Sequence, residues 1–294
     1  MPTILLTNDD GIHSPAFRAL WRALLDSKLG DVVPVVPERE VSAAGKGLTL
    51  HKPLRIGEVY ARLGRGRYSK AYLTNGTPGD CVIIGMRWIL EDKPDVVVSG
   101  MNMGDNITVD NLFTSGTIAG AVEGVLHGIQ AAAFSVEIPT GARGLNPEAF
   151  RAHASVAAEV VSWMLREGLP RGVDMLNVNF PFRISDDTPV RLTRLGWIKF
   201  ENYILERVDP RGKPYYWIGS TQLNVGEEHR GTDLYALTVE RAISVTPIRL
   251  DATVPFWLSP EDFEEMARVA WSAREKLEEL VESLSSLVRE VKLR

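Results

Sequence analysis

Two adjacent carboxylates, Asp9 and Asp10, stand where a short apolar run, Ile4 to Leu6, gives out. A run of that length followed by a helical pattern reads as the first strand of a buried parallel sheet. The C-terminal end of such a strand borders the ligand crevice of doubly wound folds, so the pair stands where ligands bind. Two carboxylates side by side raise one another's pKa. A bound cation relieves that repulsion; alternatively, one carboxylate caps the next helix and the other is solvated. The pair alone does not choose between these readings.

The rest of the chain supplies the frame. Val32 to Val36, Asp95 to Val98, Ala131 to Val136 and Met175 to Val178 are further apolar runs. Ser14 and Pro15 open a helical pattern that lasts to Gly30, and Asp80 to Leu90, Gly116 to His127 and Pro147 to Leu165 carry others. This alternation predicts an α/β fold with a doubly wound, mostly parallel, Rossmann-like sheet. Leu54 to Tyr60 with Tyr68 to Leu73 predicts an inserted β-hairpin. Val190 to Val245 predicts several short strands and no helix, with a projecting arm turning at Asp209 to Gly212 between Ile204 to Val208 and Tyr215 to Ile218. Phe263, Met266, Ala270, Ala273, Leu277, Leu280, Leu284, Leu287 and Val291 alternate by three and four, which predicts a long amphipathic C-terminal helix. The expected organisation is a core over 1–185, a β-rich arm and sheet completion over 186–258, and the terminal helix over 259–294. Arm and helix are expected to make oligomer contacts, the helix in part by packing on another subunit.

Composition narrows function. A net charge of -5 argues against a polymeric nucleic-acid partner, because such affinity rests on clustered Lys and Arg. No apolar stretch approaches the roughly 20 residues that span a bilayer, and the chain opens on a strand pattern instead of a signal sequence, so no membrane partner and a cytoplasmic location are expected. Cys81 is the one cysteine, which leaves no disulfide and no Cys-based zinc cage.

Three further polar loops are expected at the same sheet edge. Pro37 to Gly45 is rich in small residues and offers the Ser42 hydroxyl; Ser99 to Asn106 is dense in Gly and Asn; Thr114 to Thr117 opens a helix whose free N–H groups favour an anion such as phosphate. Asp9, Asp10, Ser42 and Asn102 are oxygen donors only, which suits Mg²⁺, Mn²⁺ or Ca²⁺ over zinc. His13 is the histidine nearest the acidic loop in sequence and reads as a proton donor or substrate-orienting group or, the favoured reading, as local turn packing; His51, His127, His153 and His229 lack metal-ligand spacing.

The ordered set TNDDG (Thr7 to Gly11), SAAG (Ser42 to Gly45), GTPGDCV (Gly76 to Val82), SGMNMGDN (Ser99 to Asn106), SGTIAGA (Ser115 to Ala121), DPRG (Asp209 to Gly212) and GTD (Gly231 to Asp233) resembles the SurE survival-protein nucleotidases over about residues 1 to 251. The resemblance implies a metal-dependent phosphatase acting on nucleoside monophosphates. It implies one divalent cation, Mg²⁺ or Mn²⁺, per subunit, held by Asp9, Asp10, Ser42 and Asn102, with Asp9 and Asp10 at the catalytic centre. It also implies phosphate or substrate contacts from Asn102, Asn106, Ser115, Gly116 and Thr117, and a homodimer or homotetramer with an exchanged arm. The stretch from Met101 to Thr114 departs slightly in length from the family pattern, which touches the role of Asn106.

Activated water is the expected nucleophile. The alternative, an aspartyl phosphate, belongs to phosphatases whose two aspartates are one residue apart, a spacing absent here. A dinucleotide-binding oxidoreductase shares the fold class but needs a glycine-rich turn after the first strand, where this chain has DDGIHS. A non-catalytic nucleotide-binding or scaffold protein built around the long helix remains the alternative reading.

Overall fold

Strand β1 (Thr3–Thr7) lies inside a nine-stranded sheet, fourth from one edge, and the local chemistry of each segment explains how the chain winds outward from it in both directions. A computed structural model describes residues 1–64, 66–253 and 259–290. After β1, Ser14 accepts the Phe17 N–H at 3.4 Å and Pro15 sets the first turn of α1 (Pro15–Asp26), which buries Phe17, Leu20, Trp21 and Leu24. Next come β2 (Asp31–Pro37), the hairpin β3 (Ile56–Gly64) and β4 (Arg67–Thr74), α2 (Pro78–Ile84), β5 (Val96–Met103), α3 (Thr108–Thr114), α4 (Gly116–Leu126) and β6 (Ala131–Val136). The chain continues through α5 (Arg151–Glu167), β7 (Met175–Phe180), β8 (Val190–Leu192), β9 (Phe200–Val208), β10 (Pro214–Gln222), α6 (Asp233–Thr238), β11 (Ile243–Ile248) and α7 (Pro260–Glu290).

The sheet order is β3-β4-β2-β1-β5-β6-β7-β11-β8. Pairings from β4 through β2, β1, β5 and β6 to β7 are parallel; the hairpin β3–β4 and the pair β7–β11 are antiparallel. Because β1 has β2 on one side and β5 on the other, the winding reverses at β1, and the crevice of the fold opens at the C-terminal ends of β1 and β5. Side chains alternate across the sheet as a strand requires. Ile4 and Leu6 pack toward α1 and α5, whereas Leu5 packs toward α2 and α4. From the 186–258 stretch, β8 and β11 complete the sheet's far edge, while β9 and β10, among the described residues, pair only with one another and stand exposed as an arm.

The second half of α7 buries Leu277, Leu280, Leu284 and Val288 in the same core as α1 and α5, while Phe263 and Trp271 in its first half are exposed. This buried face packs on the chain's own domain. Val291, the last position of the stripe, and 254–258 at the end of the arm segment lie outside the described residues.

Local expectations need correction in three places. Ser99 to Met103 is not loop: β5 keeps its ladder with β6 through a bulge between Ser99 and Asn102. Gly100 makes the bulge feasible, with φ at +120° and no room for a Cβ, which would lie 2.3 Å from the Phe134 carbonyl oxygen. Within Met101 to Thr114 the seven-residue helix α3 forms without a side-chain cap, its Thr108 N–H held instead by distant Asp233 at 2.8 Å. Within Val190 to Val245, α6 forms behind a Thr232 cap, but six residues are too few to show a helical period. The helix expected over Asp80 to Leu90 is α2, started by the Thr77–Asp80 capping box and closed by a π-helical turn over Gly85–Ile89.

Candidate metal and phosphate site

The acidic loop is braced by its own hydrogen bonds. Asn8 folds back so that its side chain donates to the Gly11 carbonyl at 3.0 Å and accepts the Gly11 N–H at 3.2 Å. Asp10 then joins three elements: its Oδ2 accepts the Met103 N–H at 3.0 Å from the end of β5 and the Ser14 hydroxyl at 3.3 Å from the cap of α1. Asp9 is buried, and its Oδ1 accepts the Thr117 hydroxyl from the first turn of α4. This approach is possible because residue 116 is glycine: a Cβ there would lie 2.8 Å from the Cβ of Asp9 and 2.9 Å from its Oδ2.

The other predicted residues converge here to different degrees. The Asp9 carbonyl accepts the Val41 N–H at 2.9 Å, which brings the second loop alongside. Ser42, next in sequence, is exposed and donates its hydroxyl to Glu40 at 2.6 Å. Asn102 is half-buried one residue before Met103, whose N–H Asp10 holds; its amide nitrogen donates to the Gly104 carbonyl at 2.8 Å, which aims the carboxamide oxygen elsewhere. Ser115 caps α4 by accepting the Ile118 N–H at 3.1 Å, so its oxygen closes the helix start and leaves the backbone N–H groups of Gly116 and Thr117 without a helical partner. The Asn106 side chain is held in a buried network instead. It donates to Ser135 at 2.9 Å, and its backbone is gripped by Asn177 and Asn179 of β7.

Electrostatics follow from the geometry. Burial raises the pKa of Asp9, against which the Thr117 hydroxyl and backbone N–H groups pull it down. Burial first, and then the charge of Asp9, push Asp10 up to about 6. Glu40 adds to the negative field at both carboxylates. Such a carboxylate pair is uncomfortable as two anions and comfortable around a cation. Among the described residues no group of three or more His, Cys, Asp or Glu side chains is placed to hold a metal ion, so a cation here would draw on two carboxylates and neutral oxygens, the donor set of a hard cation. The helix start of α4 supplies the complementary anion seat.

Clefts of about 570 Å³ between α1 and α5 and about 650 Å³ beside Arg171 and Arg249 contain none of these residues. Convergent polar groups, not cavity size, mark this site. His13 is exposed, Cys81 is buried with its thiol pKa raised by burial, and His153 is buried and bonded to the Pro181 carbonyl. Sequence reasoning missed Glu40 as part of the site's charge and Asn8 as its brace. Their signal was available in part, since Glu40 stands two residues before Ser42.

Fold and site together define an α/β protein with two adjacent carboxylates beside a helix start at the switch point of its sheet. The family profile described as Survival protein SurE matches residues 4–202. The chain belongs to that family. It is 39% identical over 258 residues to the 5'-nucleotidase SurE of Methanosarcina barkeri, covering 86% of this chain and 93% of that one. With the 5'-nucleotidase SurE of Thermococcus gammatolerans it shares 41% over 269 residues, 90% of this chain and 95% of the relative. It is also similar to the crystal structure of the SurE protein from Aquifex aeolicus, with a TM-score of 0.67 and 38% identity, covering 86% of this chain and 95% of that chain.

Proposed function

We propose that this protein is a nucleotidase that hydrolyses nucleoside monophosphates, R–O–PO₃²⁻ + H₂O → R–OH + HPO₄²⁻. The observation that carries this reading is the Asp9–Thr117 contact, which joins the acidic loop to the first turn of α4. One hydrogen bond thus sets a cation site and an anion seat side by side. The naming of the similar proteins as 5'-nucleotidases supports the same substrate class.

In this reading the N–H groups of Gly116 and Thr117 and the positive end of α4 take phosphate oxygens, as helix starts do. Asp9, Asp10, Asn102 and Ser42 would hold one divalent cation per subunit, Mg²⁺ or Mn²⁺. That cation supplies, when bound, a Lewis acid that neutralises charge on the phosphate. Asn106 acts on substrate indirectly: its buried network with Ser135 and Asn179 sets the exit of β5. The Met103 N–H keeps one oxygen of Asp10 occupied and so fixes the direction of the other.

A homodimer or homotetramer accompanies this proposal, supported by an arm whose β9 is exposed along its whole length and carries Tyr203, Ile204 and Leu205. A cytoplasmic setting is supported by Cys81, buried and free. No helix among the described residues is long and apolar enough to cross a membrane. Phosphate release from a nucleoside 5'-monophosphate with Mn²⁺ tests the central reading. Turnover that chelation removes and that Asp10→Asn lowers by about 100-fold or more is expected. Unchanged turnover in that variant contradicts it.

A further inference from the structure

The arm is not a free appendage, because its root is tied to the segment that carries the site. Lys199 immediately precedes β9, and its carbonyl accepts the Leu223 N–H at 2.9 Å, closing the base of the hairpin. Its ammonium donates to Asp105 Oδ2 at 2.6 Å, with both side chains nearly buried at 10% and 12% exposure. Asp105 lies between Asn102 and α3. A second tie sits beside it: fully buried Asp233 accepts the Gly196 N–H at 2.7 Å from the arm root and the Thr108 N–H at 2.8 Å from the start of α3. A third is the Val109 N–H donating to the Gly196 carbonyl at 2.8 Å. Three ties therefore run from 196–199 to 105–109, the stretch between Asn102 and Ser115.

We propose that the Asp105–Lys199 ion pair, seated beside the Asp233 clamp, is a positioning device that locks the arm root to the 102–117 segment and so sets the geometry of the cation and phosphate groups. Neither residue touches substrate in this account. Asp233 accepts three backbone N–H groups, from Thr108, Gly196 and Leu234, and is a fixed anchor. The ion pair is the second fastening, and without Lys199 the carboxylate of Asp105 loses its partner beside Asp233, which feels its charge. The expected response is displacement of the Asp105 loop, and with it of Asn102. Small displacements of positioning groups carry large rate penalties.

The inference rests on the nucleotidase reading for its kinetic consequence, and its test includes two readouts that do not. In Lys199→Met, Mn²⁺ affinity measured by the free-ion electron paramagnetic resonance signal is expected to fall about tenfold, and kcat by about tenfold with KM changed far less. Hydrogen exchange across 102–117 is expected to accelerate in the same variant. Lys199→Arg is expected to restore all three. Asp105→Asn combined with Lys199→Met is expected to be no worse than Lys199→Met alone, as for two residues acting as one unit. Wild-type Mn²⁺ affinity and exchange in Lys199→Met, or simply additive losses in the double variant, would overturn the proposal. Absence of turnover in the wild type would count against the nucleotidase reading, leaving the affinity and exchange comparisons to decide the brace. Asp105→Asn, which keeps the side-chain shape, serves the same comparisons if Lys199→Met does not fold.

Discussion

At Asp10 the fold holds a carboxylate whose pKa is pushed from the ordinary 3.8 up to about 6. The folded state binds this proton more tightly than the unfolded chain. Stability from this group therefore falls as pH rises between about 4 and 6, and the penalty, of order 3 kcal/mol, is complete above pH 6. Asp10→Asn keeps an oxygen for the Met103 N–H and removes the charge. In chelator at pH 7 the variant is expected to be more stable than wild type by about 1 to 3 kcal/mol, with the advantage shrinking by pH 4. Denaturant melts at both pH values check this, and a variant less stable at pH 7 contradicts it. Gly116→Ala is the steric counterpart. Its Cβ meets Asp9 at 2.8 Å, so a loss of about 1 to 3 kcal/mol in urea unfolding is expected, together with loss of turnover as α4 is driven from Asp9. Wild-type stability and turnover would show that the close contact is dispensable.

At the scale of elements, α7 belongs energetically to the monomer core. Leu284, fully buried, is expected to cost about 2 to 5 kcal/mol when cut to alanine, whereas Phe263→Ala, at a side chain 46% exposed, is expected to stay within about 0.5 kcal/mol. Equilibrium unfolding of the two variants side by side distinguishes this from a helix held chiefly by a partner, for which both would be mild. Strands β1, β2, β6 and β7 and helices α1, α4 and α5 were legible because each is an apolar run or a 3.6-residue stripe long enough to declare its period. Helices α3 and α6 were not, because six or seven residues carry no period and α3 takes its start from Asp233, 125 residues away in sequence. The continuation of β5 through Asn102 was hidden for a similar reason. Its SGMNM letters read as turn chemistry, and only the neighbouring β6 makes them a strand.

For the whole molecule, the order of the strands does what no motif does alone: it brings two separate loops, the end of β5 and a helix start to one edge. The sequence could nominate Asp9, Asp10, Ser42, Asn102 and the Ser115–Thr117 turn because each sits at the end of a legible element. It could not reveal which contacts fix them, since Asp9 to Thr117 and Asp10 to Met103 are pairings across the fold. We propose that these oxygens hold one divalent cation beside the first turn of α4. Anomalous diffraction from a crystal soaked in Mn²⁺ tests it most directly. The predicted result is a single strong peak per subunit about 2.0 to 2.2 Å from carboxylate oxygens of Asp9 and Asp10, with Asn102 and Ser42 completing the protein ligands. No peak there at saturating Mn²⁺, or a peak held by other residues, would contradict it.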